Sequence, residues 1–225
     1  MKRTLFLIVI GLGGAAILLS LGIWQVQRLA WKQGVIADID ARITSAPIPL
    51  PKVPDPEVDA YLPVTVTGRF AGDTIRVLVS QKQIGAGYRL ITPFETDAGR
   101  VLIDRGFVAS DDKGIATPQG TVTVIGNLQW PREIDSYTPA PDLDNNIWFA
   151  RDVSELATRL GAAPLLIVTR EMSVANPPVT PLPVDTSRIP NDHLPYAITW
   201  FALAAIWLAM SLLFLRRRSG AKSES

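Results

Sequence analysis

LFLIVIGLGGAAILLSLGIW, residues 5–24, is a twenty-residue stretch without a single charge. Ser20 and four glycines are its only departures from apolar side chains. At about 1.5 Å per residue, a helix of this length spans roughly 30 Å, the thickness of a bilayer's hydrocarbon layer. A second uncharged run, LPYAITWFALAAIWLAMSLLFL, covers residues 194–215. Backbone groups inside hydrocarbon have no water to bond, so both runs are expected as transmembrane helices. Lys2 and Arg3 precede the first run, and Arg216, Arg217, Arg218 and Lys222 follow the second. Cationic flanks stay on the cytoplasmic side, which puts both termini there and residues 25–193 on the other side.

The expected organisation is therefore a cytoplasmic N-terminus at 1–4, transmembrane helices at 5–24 and 194–215, a periplasmic domain at 25–193, and a cytoplasmic C-terminus at 216–225. Trp24, Trp31, Tyr196 and Trp200 fall near the outer boundary, where amphipathic rings prefer to lie. A cleaved signal peptide is the rival reading of the N-terminus. The apolar run exceeds the usual signal core, and Ser20-x-Gly22 is a weak cleavage site. No Arg- and Ser-rich leader precedes Leu5, so the setting reads as a bacterial inner membrane, with the lipid bilayer as a partner. Gly11 with Ala15, and Ala205 with Ala209, are small-xxx-small pairs through which the two helices could pack on each other or on a partner helix.

The chain has no Cys, which excludes disulfides, thiolate metal sites, Cys nucleophiles and covalently attached c-type haem. No basic stripe suggests nucleic acid. The middle of the chain reads as β-rich. Residues 64–67, 75–79, 88–94, 100–108 and 121–128 alternate in strand fashion between turn signals at 71–73, 85–87, 97–99 and 111–114. Ahead of them, helical spacing carries the first helix on through 25–40, and the prolines of 47–56 suggest an extended linker. Residues 152–160 suggest one short helix with Asp152 and Glu155 as a capping box and Gly161 as its stop. Residues 164–170 read as a last buried strand. The fold class is thus a membrane α+β protein: two transmembrane helices flanking a β-rich extracytoplasmic domain, a small antiparallel sheet or barrel with one short helix.

Chemistry is scarce in this inventory. His193 is the sole histidine and stands one residue before the second apolar run. One His and three Met cannot build a zinc or copper site within one chain. No nucleophile elbow is present, so an enzyme is not expected. Gly85-Ala86-Gly87 reads as a hairpin turn, Asp111 and Asp112 as a solvated loop. Asp104 and Arg105 alternate across a strand, so at least one should leave the core for a surface or edge ion pair. A single neutral imidazole is enough as one axial ligand for haem iron. A helix starting at His193 carries Tyr196, Ala197, Trp200 and Trp207 on or near the same face. The alternative is an interfacial histidine that merely anchors the helix end.

Six blocks extend this reading: LGIWQVQRLAWK at 21–32, PVTVTGRF at 63–70, GYRLITPF at 87–94, VLIDRGFV at 101–108, WFARD at 148–152 and PNDHLPYAITWF at 190–201. In this order, between two apolar runs, the chain resembles the surfeit locus protein one (Surf/Shy) family of cytochrome c oxidase assembly factors. The resemblance implies a non-enzymatic membrane chaperone that binds haem a and helps its insertion into the catalytic subunit of a haem-copper oxidase, with haem A synthase as a further candidate partner. It implies His193 as the iron ligand with Trp24 as a neighbour, and the helical spacing after His193 adds Tyr196 and Trp200 as cofactor-binding candidates. The surface of residues 87–94 and the sheet edge are candidate contacts with the oxidase. Asp192 stands where the family more often has Asn, and Phe107 where Trp is common. Asp192 is either an orienter of the imidazole through its other nitrogen or a surface charge. Two alternatives remain: a scaffold that stabilises an oxidase subunit without touching cofactor, and, ranked lower, a two-span receptor or sensor.

Overall fold

The computed structural model describes residues 2–81, 85–112, 115–187 and 189–220. The chain divides into two compact units, one of Met1–Asp38 with Thr186–Ser225 and one of Ile39–Asp185. The first contains most of helix α1 (Lys2–Ile43) and all of helix α3 (His193–Gly220). Both are long and apolar enough to cross a membrane. No proline interrupts α1, and the first one, Pro47, lies just beyond its end. In α3 the lone proline, Pro195, sits in the first turn, where a missing N–H breaks no helical bond. Hydroxyls on the helices bond back to their own backbone, Ser20 to the Ile17 carbonyl at 2.7 Å and Thr199 to Pro195 at 2.9 Å. Each of these two hydroxyls is thereby satisfied within its own helix.

The second unit is a sheet of eight strands: β1 (Ile48–Pro49), β2 (Pro63–Phe70), β3 (Ile75–Gln81), β4 (Gly85–Thr96), β5 (Gly99–Ala109), β6 (Val122–Gln129), β7 (Ile147–Trp148) and β8 (Leu166–Met172). Strand β2 pairs with β6 through residues 63–68 and with β4 through 68–70. The strands β2, β6, β8, β5 and β4 therefore close into a five-membered ring. Gly68 stands where β2 changes neighbours. A Cβ there would lie 2.0 Å from the Glu95 carbonyl oxygen, so only glycine allows the closure. Val64, Val66, Phe94, Val101, Ile103, Val124 and Ile167 fill the ring. Ile75, Val77, Ile91, Leu102, Leu166 and Val168 form a second layer on its outer face, against helix α2 (Val153–Leu160).

Helix α2 buries Val153, Leu156, Ala157 and Leu160, the i, i+3, i+4, i+7 face of an amphipathic helix. Asp152 caps it, accepting from the backbone N–H of Ser154 and Glu155, and Gly161 ends it in the left-handed conformation. A return bond from Glu155 to the Asp152 backbone is not among the bonds of the described residues, so the cap is one-sided.

Several expectations change. The sheet is not wholly antiparallel: β8 runs parallel to β5, because the segment carrying α2 supplies a crossover long enough for it. Ile48 and Pro49 of the expected linker form β1, an edge strand, where proline costs no ladder bond. Gly85-Ala86-Gly87 is not a turn but the start of β4; a Cβ on Gly87 would meet the Val108 carbonyl oxygen at 2.1 Å, so glycine serves strand packing. The turn signal at 111–114 lies partly outside the described residues, Asp111 and Asp112 being exposed. Residues 87–94 do not offer a contact surface. They lie mid-sheet between β3 and β5, and all but half-buried Tyr88 are buried. Ala205 and Ala209 are exposed and take no part in helix pairing.

The largest correction concerns Asp104 and Arg105, both fully buried. Strand β5 has no solvent face, since one side looks into the ring and the other is covered by the outer layer. Asp104 follows Leu102 on the outer side. It accepts from Arg89 Nη1 at 2.6 Å and from the Gly106 N–H at 3.1 Å, and Arg151 Nη1 stands 3.5 Å away. Arg151 forks onto the Glu133 carboxylate through Nε and Nη2 and reaches Gln129 at 3.1 Å. Two cations thus face two carboxylates. Burial alone would raise the Glu133 carboxyl, but the hydrogen bonds and charge of Arg151 outweigh it and hold it below the ordinary range. Arg151, which burial alone would lower, is raised by its hydrogen bonds and charge pairing with Glu133 and Asp104.

Arg105 follows Val101 and Ile103 on the inner side. It donates to the Ala116 carbonyl and the Asn176 side chain, and its guanidinium faces the Phe70 ring at 5.6 Å. Burial without a carboxylate partner pushes it down to about 10. Gly106 then turns with φ of 123°, and a Cβ there would lie 2.2 Å from the Thr180 carbonyl oxygen.

Replacing Asp104 by Ala leaves the buried Arg89 guanidinium without its carboxylate and strips Arg151 of one of its two. The expected loss is about 3–5 kcal/mol of domain stability. Urea unfolding of the full chain in detergent, followed by fluorescence, checks it; a change within about 1 kcal/mol, the size of an exposed pair, would contradict the assignment.

Candidate functional site

The two apolar helices pack antiparallel through glycines. A Cβ at Gly11 would lie 3.1 Å from Ser211 Cβ, one at Gly14 would lie 2.5 Å from Trp207 Nε1, and one at Gly22 would lie 2.7 Å from Phe201 Cε1. Gly11, Ala15, Gly22 and Gln25 of α1 are buried, and so are Ala197 and Ala204 of α3. On α1 these positions advance by four and seven residues, then three, so they share one face. Large side chains of α3 drop into the space the glycines leave, and Trp207 Nε1 donates to the Gly11 carbonyl at 3.0 Å. Small residues allow this close approach where lipid supplies no hydrophobic drive. Of the two predicted small pairs, Gly11 with Ala15 lies in the contact; on α3 Ala197 and Ala204 take the place expected of Ala205 and Ala209.

His193 is the first residue of α3 and is half-buried. Its Nδ1 stands 2.8 Å from Oε1 of Gln25. An amide oxygen can only accept, so with this oxygen facing the ring Nδ1 carries the proton, and in the neutral imidazole Nε2 then keeps the lone pair. Gln25 is 8 % exposed, the one buried polar side chain on either apolar helix among the described residues. Asp192 is exposed and makes no bond to the ring among the described residues, so it is the surface charge of the two readings.

The other predicted site residues are less closely gathered. Trp200 lies two turns beyond His193 on the same face of α3 and is half-buried. Tyr196 neighbours that face and is 57 % exposed. Trp24 is 53 % exposed and, adjacent to Gln25 on the helix, points about 100° away from it. No ring pairing among the described residues joins these three. They line the outside of the helix pair around a histidine whose second nitrogen is unengaged. Asn191 Oδ1, two residues before His193, is buried without a hydrogen-bond partner.

Further along the pair, from Leu203 onward on α3, lies an apolar groove of about 580 Å³ between the helices, lined by Gly14, Ile17, Leu18, Leu203, Ile206, Trp207, Met210 and Phe214. Among the described residues no group of three or more His, Asp or Glu side chains is placed to hold a metal ion. A bare ion would find one protein ligand here, too few for zinc or copper. A porphyrin brings four nitrogens of its own and needs only an axial donor and an apolar bed. The donor set fits that group.

Sequence reasoning missed Gln25, although two signals pointed to it. It directly follows the last residue of the apolar run, and it falls on the stripe set by Gly11, Ala15 and Gly22.

The chain matches the SURF1 family model over residues 12–205, a span that includes both Gln25 and His193. It is 34 % identical over 213 residues to a SURF1-like protein of Rickettsia prowazekii, covering 88 % of this chain and 85 % of that protein. A SURF1-like protein of Rickettsia bellii is 33 % identical over 211 residues, covering 89 % and 87 %. Human Surfeit locus protein 1 is 32 % identical over 225 residues, covering 88 % and 73 %.

The helix register is open to a direct check, since the chain has no native Cys. Gly11→Cys with Ser211→Cys should cross-link within one chain under mild oxidation, their Cβ atoms being close to disulfide range. Gly13→Cys with Ser211→Cys should not, because a Cβ at Gly13 meets nothing within 4 Å. Non-reducing gel mobility reads the difference, and equal cross-linking of both pairs would contradict the register.

Proposed function

The chain belongs to the SURF1 family, and on that basis we propose that it is a membrane-anchored assembly factor for a haem-copper cytochrome c oxidase, which holds haem a through His193 and hands it to the catalytic subunit. The observation that carries the cofactor assignment is the 2.8 Å bond between Gln25 and His193 Nδ1, which leaves Nε2 as the open donor. The oxidase comes from the family resemblance. No catalytic step is part of this reading.

Helices α1 and α3 cross a bacterial inner membrane as a hairpin. The cationic residues at the chain ends keep both termini cytoplasmic. Residues between the helices then lie in the periplasm, and His193 sits where α3 enters the membrane from that side. Neutral imidazole at that depth costs little, whereas a charged ligand would be expensive.

Haem a, when bound, brings an iron that takes an axial nitrogen and an isoprenoid tail that prefers an apolar surround. His193 supplies the nitrogen from Nε2. Trp24, Tyr196 and Trp200 offer aromatic faces beside it, and the groove along Gly14, Leu203 and Trp207 offers apolar surface for the tail. With a single protein ligand, the hold is reversible by ligand exchange.

A scaffold without cofactor is the second reading, favoured by the rigid, charge-locked sheet unit. The two differ at His193. Protein purified untagged from cells that make haem a is expected to show a Soret band, which His193→Ala loses, and oxidase assembly should fall with it. An unchanged band in the variant would sink the ligand assignment; normal assembly with the band lost would favour the scaffold.

A further inference from the structure

Gln25 sits between two otherwise apolar helices, 8 % exposed, and its amide oxygen meets His193 Nδ1 at 2.8 Å. A polar side chain buried on a glycine stripe is unfavourable unless its hydrogen bond is made. The bond therefore constrains the ring as much as the ring constrains the amide. With Nδ1–H donating, the lone pair of Nε2 points away from Gln25. Were the amide turned so that its NH2 group met Nδ1, the neutral ring would carry its proton on Nε2 and could not ligate through it. The orientation of one amide thus decides whether the only histidine can bind iron at this nitrogen.

The chemical type of the acceptor matters too. Histidine ligands to metals commonly donate their other N–H to a carboxylate or carbonyl, and a carboxylate raises the basicity of the ligand more. A neutral amide fixes the tautomer without that extra push. It also puts no uncompensated charge between apolar helices.

We infer that Gln25 is the positioning residue of this site: its amide oxygen holds His193 in the Nδ1–H tautomer, and because that oxygen is neutral the imidazole stays a weak enough donor to give the cofactor up. The inference rests on the reading of His193 as an iron ligand and adds the group that makes the ligand competent and releasable.

The sole histidine makes the test clean. The full chain, untagged, labelled with 15N-histidine and held in lipid nanodiscs without cofactor, gives long-range 1H–15N spectra of one imidazole. The expected result is a protonated Nδ1 and a pyridine-type Nε2. In Gln25→Leu the Nε2–H form should gain, and haem a binding, read by titration of the Soret band, should weaken about 10–100-fold. Gln25→Glu should keep the wild-type tautomer, bind at least as tightly, lower the iron reduction potential, and slow transfer of haem a to an apo-protein acceptor. The Gly11→Cys/Ser211→Cys cross-link, carried into each variant, reports whether the helix pair is intact. If Gln25→Leu loses it, the wild-type spectrum and Gln25→Glu still decide.

An Nε2–H tautomer in the wild type, or wild-type affinity and tautomer in Gln25→Leu, would overturn the positioning role. So would faster transfer from Gln25→Glu. Failure of the underlying reading looks different: His193→Ala would then keep its Soret band, whatever the tautomer spectra show.

Discussion

The close approach of α1 and α3 is the constraint on which the candidate site depends. In a bilayer two apolar helices gain little by hiding apolar surface from each other, so contact geometry has to supply the association. Here it comes from absent side chains. Glycines at 11, 14 and 22 leave space that Ser211, Trp207 and Phe201 occupy. Once those three levels are set, the register at the far end follows. Gln25 comes opposite His193, and two residues 168 positions apart in sequence share one hydrogen bond. A side chain at Gly14 or Gly22, where a Cβ would lie 2.5 Å from Trp207 or 2.7 Å from Phe201, would separate the helices and release the imidazole. The indole bond from Trp207 to the Gly11 carbonyl pins the pair at the other end.

The sheet unit is held by a different kind of constraint. Its strands close into a ring and are covered outside by α2, so β5 has no face left for charge. The charge it carries must be neutralised in place. Asp104 joins Arg89 of β4 to Arg151, which precedes α2, while Glu133 takes the other edge of Arg151. Four separate segments are fixed together by charges that cannot be removed singly without leaving a buried ion. Arg105 points the opposite way and relies on carbonyl, amide and ring instead.

Much of this could be read in the sequence because it is written in local pattern. The apolar runs, the alternating strands, the amphipathic face of α2 with its Asp152 cap and Gly161 stop, and the isolated His193 need only neighbours along the chain. What failed needed neighbours across it. Whether Asp104 is exposed depends on the ring closing, and that closure hinges on Gly68, whose role appears only when Glu95 is opposite. Gly87 looks like a turn residue until the Val108 carbonyl is found against it. An alanine says nothing of which helix face it occupies, so Ala205 and Ala209 were indistinguishable from Ala197 and Ala204. Asp192 adjoins His193 in sequence, yet the group that reaches the ring is Gln25, brought there by helix packing. The six blocks of family resemblance do mark these places. Arg89, Asp104 and Arg151 lie in three of them, and Gln25 and His193 in two others.

Ligation of iron through His193 is the central proposal, and the chain's single histidine allows that ring to be interrogated alone. Untagged protein with only its histidine 15N-labelled, loaded with haem a and studied by pulsed electron paramagnetic resonance in the low-spin ferric state, should show strong hyperfine coupling to one imidazole 15N. A low-spin haem spectrum without that coupling would show iron held by another group, and would contradict the site described for this chain.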